Sequence, residues 1–142
     1  MFVKQISVFL ENRQGRLSEF SSVLAQNNID LLAISVADTT NFGMLRAIVG
    51  DYENAAEVLR KNGYTANITD VLAVGVPDAP GGLARVLQLL QQNDIAIEYL
   101  YSLVRRIGDK AVVICRVDRP DDAAALLKKN DITMMSQADI AG

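Results

Sequence analysis

Histidine is missing from this 142-residue sequence, and cysteine occurs once, as Cys115. The absence of histidine removes the commonest general base and the commonest metal ligand. A single cysteine rules out a disulfide within one chain and favours a reducing compartment. Because residues 111–114 are all apolar, Cys115 is predicted to be a small buried side chain. Aromatic residues are only 6% of the chain, so the sequence offers little for catalysis, metal binding or base stacking.

Positive charge is also scarce, since 14 Lys and Arg face 17 Asp and Glu and give a net charge of −3. Because nucleic acid is also negatively charged, a nucleic-acid partner would have to bind against the electrostatic repulsion of this net charge. No apolar run approaches the roughly 20 residues that cross a bilayer, and residues 1–5 do not begin a signal peptide. Half of the residues are hydrophobic, which suits a globular core. We therefore expect a cytoplasmic protein that binds neither nucleic acid nor membranes.

The chain contains an internal repeat. Residues 15–29 recur at 81–95, a shift of 81 − 15 = 66, and residues 55–62 recur at 123–130, a shift of 123 − 55 = 68. The two-residue difference falls between these matches, at the polar, glycine-containing segments 38–43 and 105–110, which predicts hairpin turns there. We place the two domains at 1–69 and 70–142.

Both repeats show the same succession of hydrophobic periods. Alternating apolar residues predict a first strand, and a stripe at i, i+3, i+4 and i+7 starting from Leu17 or Leu83 predicts an amphipathic helix. Two strands follow, then a second helix introduced by Asp51 in the first repeat and by Asp118 with Pro120 in the second. The predicted strands are 6–10, 31–36, 44–49 and 65–69, and 72–76, 97–103, 111–117 and 132–137.

The order β-α-β-β-α-β, occurring twice, predicts the α+β class. We expect two tandem ferredoxin-like units, each a four-stranded antiparallel sheet with two helices on one face. A unit of about 70 residues with one bare sheet face gains by pairing. Because residues 67–72 read as one continuous strand, we expect the units to be packed rigidly together. An uncovered edge strand and sheet face further predict at least a homodimer.

The loop between the first strand and the first helix is the candidate site in each repeat. Helix N-terminal N–H groups suit a carboxylate, and a glycine, Gly15 or Gly81, lets a ligand approach the main chain. Asn12 or Asp78 stands three residues earlier and can accept a hydrogen bond from an ammonium group. An α-amino acid carries both groups. Alternatively, Asn12 and Asp78 only cap the helices while the glycines make the turns. The loop residues of the site are Asn12, Arg13, Gln14, Gly15, Arg16 and Leu17, and Asp78, Ala79, Pro80, Gly81, Gly82 and Leu83.

The second loop, Asp78-Ala79-Pro80-Gly81-Gly82-Leu83, resembles the Asp/Asn-x-Pro-Gly-x-Leu signature of ACT domains, and the helix after it closes with Asn93-Asp94-Ile95. The first loop is similar, with Gln14 in place of the proline. The resemblance covers the whole chain as two repeats, in the manner of small stand-alone proteins built only of paired ACT domains. It implies a non-catalytic regulatory protein that binds a free amino acid.

The resemblance also implies where that amino acid lies. ACT domains typically bind it where two copies meet, between this loop of one copy and the second strand of its neighbour. On this expectation the first loop faces Ile97 and Glu98, and the second loop faces Leu31 and Leu32. In serine-responsive members an Asn begins the second strand. Asp30 stands at that position here and Ala96 in the second repeat, so the two sites are not expected to be equivalent.

Other functions fit the sequence less well. Acidic residues near helix starts are explained by the helix dipole and solvent, and Arg105 with Arg106 reads as a solvated hairpin tip rather than an anion site. An RNA-recognition module needs exposed aromatics and a basic surface. An acylphosphatase-like enzyme needs an arginine in the loop, and Arg13 has no counterpart at Ala79. We expect no enzyme activity, cofactor or metal. The strongest alternative is an interaction module that pairs with itself or with a partner enzyme of amino-acid metabolism.

Overall fold

A computed structural model gives the fold and describes residues 2–11, 13–38 and 42–141. The chain divides into a first unit, Lys4–Thr69, and a second unit, Asp70–Ile140 together with residues 2 and 3. Each contains strands and helices in the order β-α-β-β-α-β. The first predicted hairpin turn falls largely on residues 39–41, which lie outside the described residues.

The elements of the first unit are β1 (Val3–Glu11), α1 (Arg16–Gln26), β2 (Leu31–Asp38), β3 (Phe42–Val49), α2 (Tyr52–Lys61) and the start of β4 (Ala66–Pro77). The strand order is β2-β3-β1-β4, and β3 pairs antiparallel with β1 and β2. Ile6 lies opposite Ala47 and Val8 opposite Leu45. Since paired residues share a face, the alternation in β1 puts its apolar side chains under the helices.

Tyr64 completes the core of the first unit. The apolar stripe of α1 buries Phe20 and Leu24 against the sheet, and α2 buries Ala55 and Leu59. The Tyr64 ring is only 6% exposed and meets Phe20 edge to face, with 5.9 Å between ring centroids. The end of α2 is therefore joined to α1 by an aromatic pair.

The second unit repeats this arrangement with the rest of β4, α3 (Gly82–Gln92), β5 (Ile97–Ser102), β6 (Lys110–Val117), α4 (Pro120–Lys129), β7 (Thr133–Met134) and α5 (Gln137–Ala141). Its strand order is β7-β4-β6-β5, and all of these pairs are antiparallel. Leu72, Val74 and Val76 line one face with Val86 and Leu90 of α3. The predicted α+β class with two ferredoxin-like units is confirmed.

β4 is one strand of 12 residues. The two strands predicted at 65–69 and 72–76 are joined without a break, as the nearly continuous strand pattern at 67–72 indicated. The last strand of the first repeat and the first strand of the second are thus the same element.

All four long helices end in the same way. Each has an asparagine at its C-cap, and that amide donates a hydrogen bond of 2.8–2.9 Å to the carbonyl oxygen four residues earlier. The residue that follows has a positive φ, between 56° and 87°, the left-handed conformation that terminates helices. The asparagines are Asn27, Asn62, Asn93 and Asn130, and the residues that follow them are Asn28, Gly63, Asp94 and Asp131.

The predicted N-cap is confirmed for α2 and wrong for α4. Asp51 caps α2, where its carboxylate accepts a hydrogen bond from the Asn54 N–H at 3.2 Å. Asp118 does not cap α4. The N-cap there is Arg119, without a side-chain hydrogen bond to the helix, and the Asp118 carboxylate accepts from the Ala96 N–H at 3.0 Å. Pro120 occupies the first turn, as predicted.

The last strand predicted for the second repeat is shorter than expected. The strand predicted at 132–137 is only Thr133–Met134, and α5 follows it. The reason is a capping box: the Ser136 N–H donates to the Asp139 carboxylate at 2.8 Å, and the Asp139 N–H donates to Ser136 Oγ at 3.2 Å. This reciprocal pair satisfies two N–H groups of a helix start and ends the strand.

The helix-free faces of the two sheets differ. In the first unit Phe9 and Phe42 lie on this face and are 54% and 53% exposed. In the second unit Ala73 and Ile114, paired across β4 and β6, are fully buried. The Met135 side chain reaches this face over Gly75. In the first unit Gln5 and Ile48 of the same face are also buried, so the two faces differ at the Phe9 and Phe42 end of the first sheet.

Candidate functional site

The two strand-to-helix loops share one main-chain conformation. Gly15 and Gly81 are the N-caps of α1 and α3, and both have φ of +90°, a region that glycine adopts without strain. A methyl group built on either glycine meets no other described atom within 4 Å. The main chain at both glycines is therefore open to a ligand.

Asp78 does not cap α3. The helix starts after Gly81 without a side-chain cap, so Asp78 stands three residues before the N-cap, too early to reach the first turn. Its carboxylate instead lies 3.5 Å from the Arg106 guanidinium. The capping alternative is thus wrong for Asp78, and Asn12 lies outside the described residues. Arg106, expected at a solvated tip, reaches the second loop, although both groups are more than half exposed and such a pair adds little stability.

The first loop carries a chain of ion pairs. Arg13 lies 3.2 Å from Glu11 and 3.9 Å from Glu19, and Arg16 lies 2.8 Å from Glu19. Two positive and two negative side chains make this cluster neutral. Gln14, beside them, is exposed. A neutral zwitterion matches such a cluster better than a ligand with net charge.

Arg16 is held in place by the residues around it. Its guanidinium lies 4.7 Å above the centre of the Tyr64 ring, within cation–π range. The hydrogen bond to Glu19 raises the pKa of Arg16 above its usual value. The Arg16 Nε atom is buried and has no hydrogen-bond partner in the described part of the chain. Arg16 therefore packs on the Phe20–Tyr64 pair, and its Nε–H group makes no hydrogen bond to the described residues.

A concavity of about 300 Å³ opens beside the first loop. Leu17 and Val36 are 45% and 47% exposed at its wall, so apolar surface stands next to the charged cluster. Its lining residues are Leu10, Glu11, Arg13, Arg16, Leu17, Val36 and Gly43.

The second loop borders a different space. A concavity of about 270 Å³ lies between this loop, α3 and Ile132. Among the described residues that line it, Arg85 alone is charged, and its guanidinium donates a hydrogen bond of 3.0 Å to the Asn130 carbonyl oxygen. Ala79 and Leu83 flank this lining. The lining residues are Gly75, Val76, Pro77, Pro80, Gly81, Gly82, Arg85, Val86 and Ile132.

The strand residues proposed for the site lie at the other end of each sheet from the loop of the same unit. In the first unit Leu31 pairs with Val49, while Glu11 pairs with Phe42 at the opposite end of β3. Asp30, just before Leu31, therefore does not lie beside the first loop of its own unit. Leu32 is buried, at 2% exposure.

The second unit has the same geometry. Ile97 pairs with Val117, and Pro77 pairs with Lys110 at the opposite end of β6. Glu98 forms an ion pair of 3.4 Å with Arg116. Within a single unit, then, the loop and strand residues of the predicted site are not brought together.

Sequence reasoning missed Arg85 and Ile132. Alignment of the two repeats carries one signal for them, since Arg85 replaces Glu19 and Ile132 replaces Tyr64 at the 66- and 68-residue shifts. The equivalence is visible in the main chain as well. The Tyr64 N–H bonds to the Leu59 carbonyl, and the Ile132 N–H bonds to the Leu127 carbonyl.

The described residues contain no cluster of three or more acidic or cysteine side chains that could hold a metal ion. Cys115 is buried, and this burial raises the pKa of its thiol to about 11, which makes it a poor nucleophile at neutral pH. No helix in the described part of the chain is both long and apolar enough to cross a membrane.

Comparison with known proteins places the fold. A family model described as the ACT domain pair matches residues 1–142. The structure is similar to that of protein BT0572 from Bacteroides thetaiotaomicron, with 39% identity and a TM-score of 0.91 over 99% of this chain and 96% of that one. No curated protein matches the sequence.

Two further similar structures are regulatory subunits of aspartate kinase. The one from Thermus thermophilus, in its ligand-free form, has 17% identity and a TM-score of 0.62 over 90% of this chain and 92% of that one. The one from Thermus flavus has 16% identity and a TM-score of 0.60 over 89% and 90%. At these identities the likeness is one of fold.

Proposed function

This chain belongs to the ACT domain pair family, and from that premise we propose that it is a non-catalytic regulatory protein that binds a free amino acid. The observation that carries the proposal is the pair of loops in which Gly15 and Gly81 hold the same left-handed conformation with open space beside them. Main-chain N–H groups at a helix start are suited to a carboxylate. The match to regulatory subunits of aspartate kinase supports a regulatory role and an enzyme partner.

The first loop is the better candidate for the whole amino acid. Its charged cluster offers guanidinium donors for the ligand carboxylate and Glu11 for the ammonium group. Leu17 and Val36 stand beside it as apolar contacts for a side chain. Asp30, Leu31, Leu32, Ile97 and Glu98 remain candidates for the part of the site that a neighbouring ACT domain supplies.

Calorimetric titration of the full chain with each of the twenty amino acids tests this function. We expect saturable binding of at least one neutral amino acid. Absence of binding by all twenty would contradict the proposal and favour the interaction module.

Glycine variants test whether the loops hold the ligand. Gly15→Ala and Gly81→Ala should each destabilise the fold by about 1–2 kcal/mol, because φ near +90° strains an L residue. Gly63→Ala is the matched control, since Gly63 has φ of +87° and equally open space but terminates α2. If the loops bind the carboxylate, Gly15→Ala or Gly81→Ala lowers amino-acid affinity about tenfold or more, while Gly63→Ala lowers only the thermal midpoint. Equal affinity in all three variants would show that the glycines only shape turns.

An interaction module is the second candidate, and one observation favours it. Phe9 and Phe42 are more than half exposed on the helix-free face of the first sheet, and exposed aromatic residues are enriched at protein interfaces. Sedimentation at several concentrations tests self-association directly. A protein that binds no amino acid and whose homodimer is lost in Phe9→Ser would support this candidate instead.

A further inference from the structure

The two units differ in what fills the space behind the strand-to-helix loop. In the first unit three side chains occupy it: Arg16 lies over Tyr64, which packs against Phe20. The equivalent residues of the second unit are all smaller. They are Gly82, Ile132 and Val86, at shifts of 66, 68 and 66 residues.

The cavity of the second unit lies where this stack would be. Gly82, Val86 and Ile132 all line its volume of about 270 Å³. Gly82 cannot be replaced by a residue with a side chain like that of Arg16, because a Cβ here would overlap the Pro77 carbonyl oxygen. The volume is near the lower end of ligand pockets, about 300–1,000 Å³, so the occupant is small.

The charge of the lining residues indicates the charge of the ligand. Of the described residues that line the cavity, only Arg85 is charged, and no carboxylate of the described residues forms an ion pair with it. One of its N–H groups is fixed on the Asn130 carbonyl, which orients the guanidinium and leaves its other donors for a ligand. At the equivalent position the first unit has Glu19, which pairs with Arg16.

We propose that this cavity of the second unit binds a small carboxylic acid with a flat apolar body. Its carboxylate lies on Arg85, and its body packs on Val86 and Ile132, where the first unit places an aromatic ring. An amino group is not required, because the described residues that line the cavity include no carboxylate to accept its hydrogen bonds. The inference goes beyond the amino-acid site, since it depends on the space behind the second loop and on Arg85.

Benzoate is a suitable probe, and benzylamine is its control because it has a similar body and the opposite charge. In titrations of the full chain followed by amide NMR, benzoate should bind saturably, with shifts at residues 81–86 and at Ile132. Benzylamine should not. Equal binding of both, or no saturable binding of benzoate, would overturn the proposal.

Three variants locate the site. Arg85→Gln should weaken benzoate binding about tenfold or more, the effect of losing a charge-assisted hydrogen bond. Lys129→Gln removes the same charge from an exposed position of α4 and should change nothing. Ile132→Tyr restores the ring of the first unit and should abolish binding. If Ile132→Tyr misfolds, the comparison of benzoate affinity between Arg85→Gln and Lys129→Gln tests the proposal. An equal loss of affinity in these two variants would contradict it.

Titration of wild type and Arg85→Gln with the amino acids separates the two proposals. Benzoate binding without any amino-acid binding would refute the proposed function and leave this inference standing. Amino-acid binding without benzoate binding would do the reverse.

Discussion

The first and second strand-to-helix loops have one backbone and two different sets of side chains. Gly15 and Gly81 have identical φ and both begin a helix. Around them the first unit gathers two arginines and two glutamates, whereas the second has prolines, glycines, Arg85 and the exposed Asp78–Arg106 pair. The two repeats thus share the turn and differ in the chemistry beside it.

This difference shows that the backbone conformation of the loop restricts the sequence more than the neighbouring side chains do. A left-handed residue at the N-cap is a demand of the backbone, and only glycine meets it without strain. The side chains nearby have no such demand, so one unit fills its space with Tyr64 and Arg16 while the other leaves a cavity. Each unit should therefore respond differently to the same change.

The largest expected difference is in packing at Tyr64 and its counterpart Ile132. Tyr64→Ala removes a buried ring from between Phe20 and Arg16, and we expect it to lower the free energy of unfolding by about 3–5 kcal/mol. Ile132→Ala removes a half-buried side chain beside open space, and a loss of about 1 kcal/mol is expected. Urea unfolding followed by circular dichroism measures both.

Tyr64→Phe serves as the control for this comparison, because it keeps the ring and its contacts with Phe20 and Arg16. It should lose less than about 1 kcal/mol. Equal losses in Tyr64→Ala and Ile132→Ala would show that the second unit is packed as tightly here as the first, and would count against the cavity.

The second comparison concerns Cys115, whose counterpart in the first unit is Ala47. Burial raises the pKa of the Cys115 thiol to about 11, above the value of about 8.5 of an unfolded chain. Its contribution to stability is therefore complete below about pH 8.5 and is lost as pH rises through about 11, by at most about 1.4 kcal/mol per pH unit.

Cys115→Ala gives the second unit the residue of the first and removes this dependence. The free energy of unfolding of the variant should fall less steeply than that of wild type between about pH 8.5 and 11. Parallel slopes would mean that the thiol ionises in the folded state and is not sealed in the core.

The repeat made most of the fold predictable. Two matches at shifts of 66 and 68 residues defined equivalent elements, and the ACT family predicted from the loops at Gly15 and Gly81 is confirmed. The failures came from side chains that bind the main chain locally. Asp118 is a residue type that favours N-caps, but its carboxylate accepts a hydrogen bond from the Ala96 N–H instead. The capping pair Ser136–Asp139 starts α5 where the sequence predicted a strand.

The site was less predictable, for a geometric reason. Loop positions follow from a glycine and a helix start, which are local signals. Whether Asp30 lies near a loop depends on strand direction, and β2 runs so that Asp30 is at the far end of its own unit. The cavity depends on the summed volumes at positions 82, 86 and 132, which are distant in sequence and meet only when packed.

The smallest expected effect is at the chain end, where the second repeat has α5 and the first has strand β4. Ser136→Ala should remove the cap and lower stability by about 0.5–2 kcal/mol. Asp139→Asn should have a smaller effect that depends on pH. The hydrogen bonds from Ser136 lower the pKa of the Asp139 carboxyl, so its contribution is present above its unfolded value, near pH 4, and is lost as pH falls through the lower folded value. Thermal midpoints of wild type and Asp139→Asn should therefore differ at pH 7 and converge near pH 2. A difference that persists in acid would assign the effect to packing, and helix α5 would then not depend on its capping box.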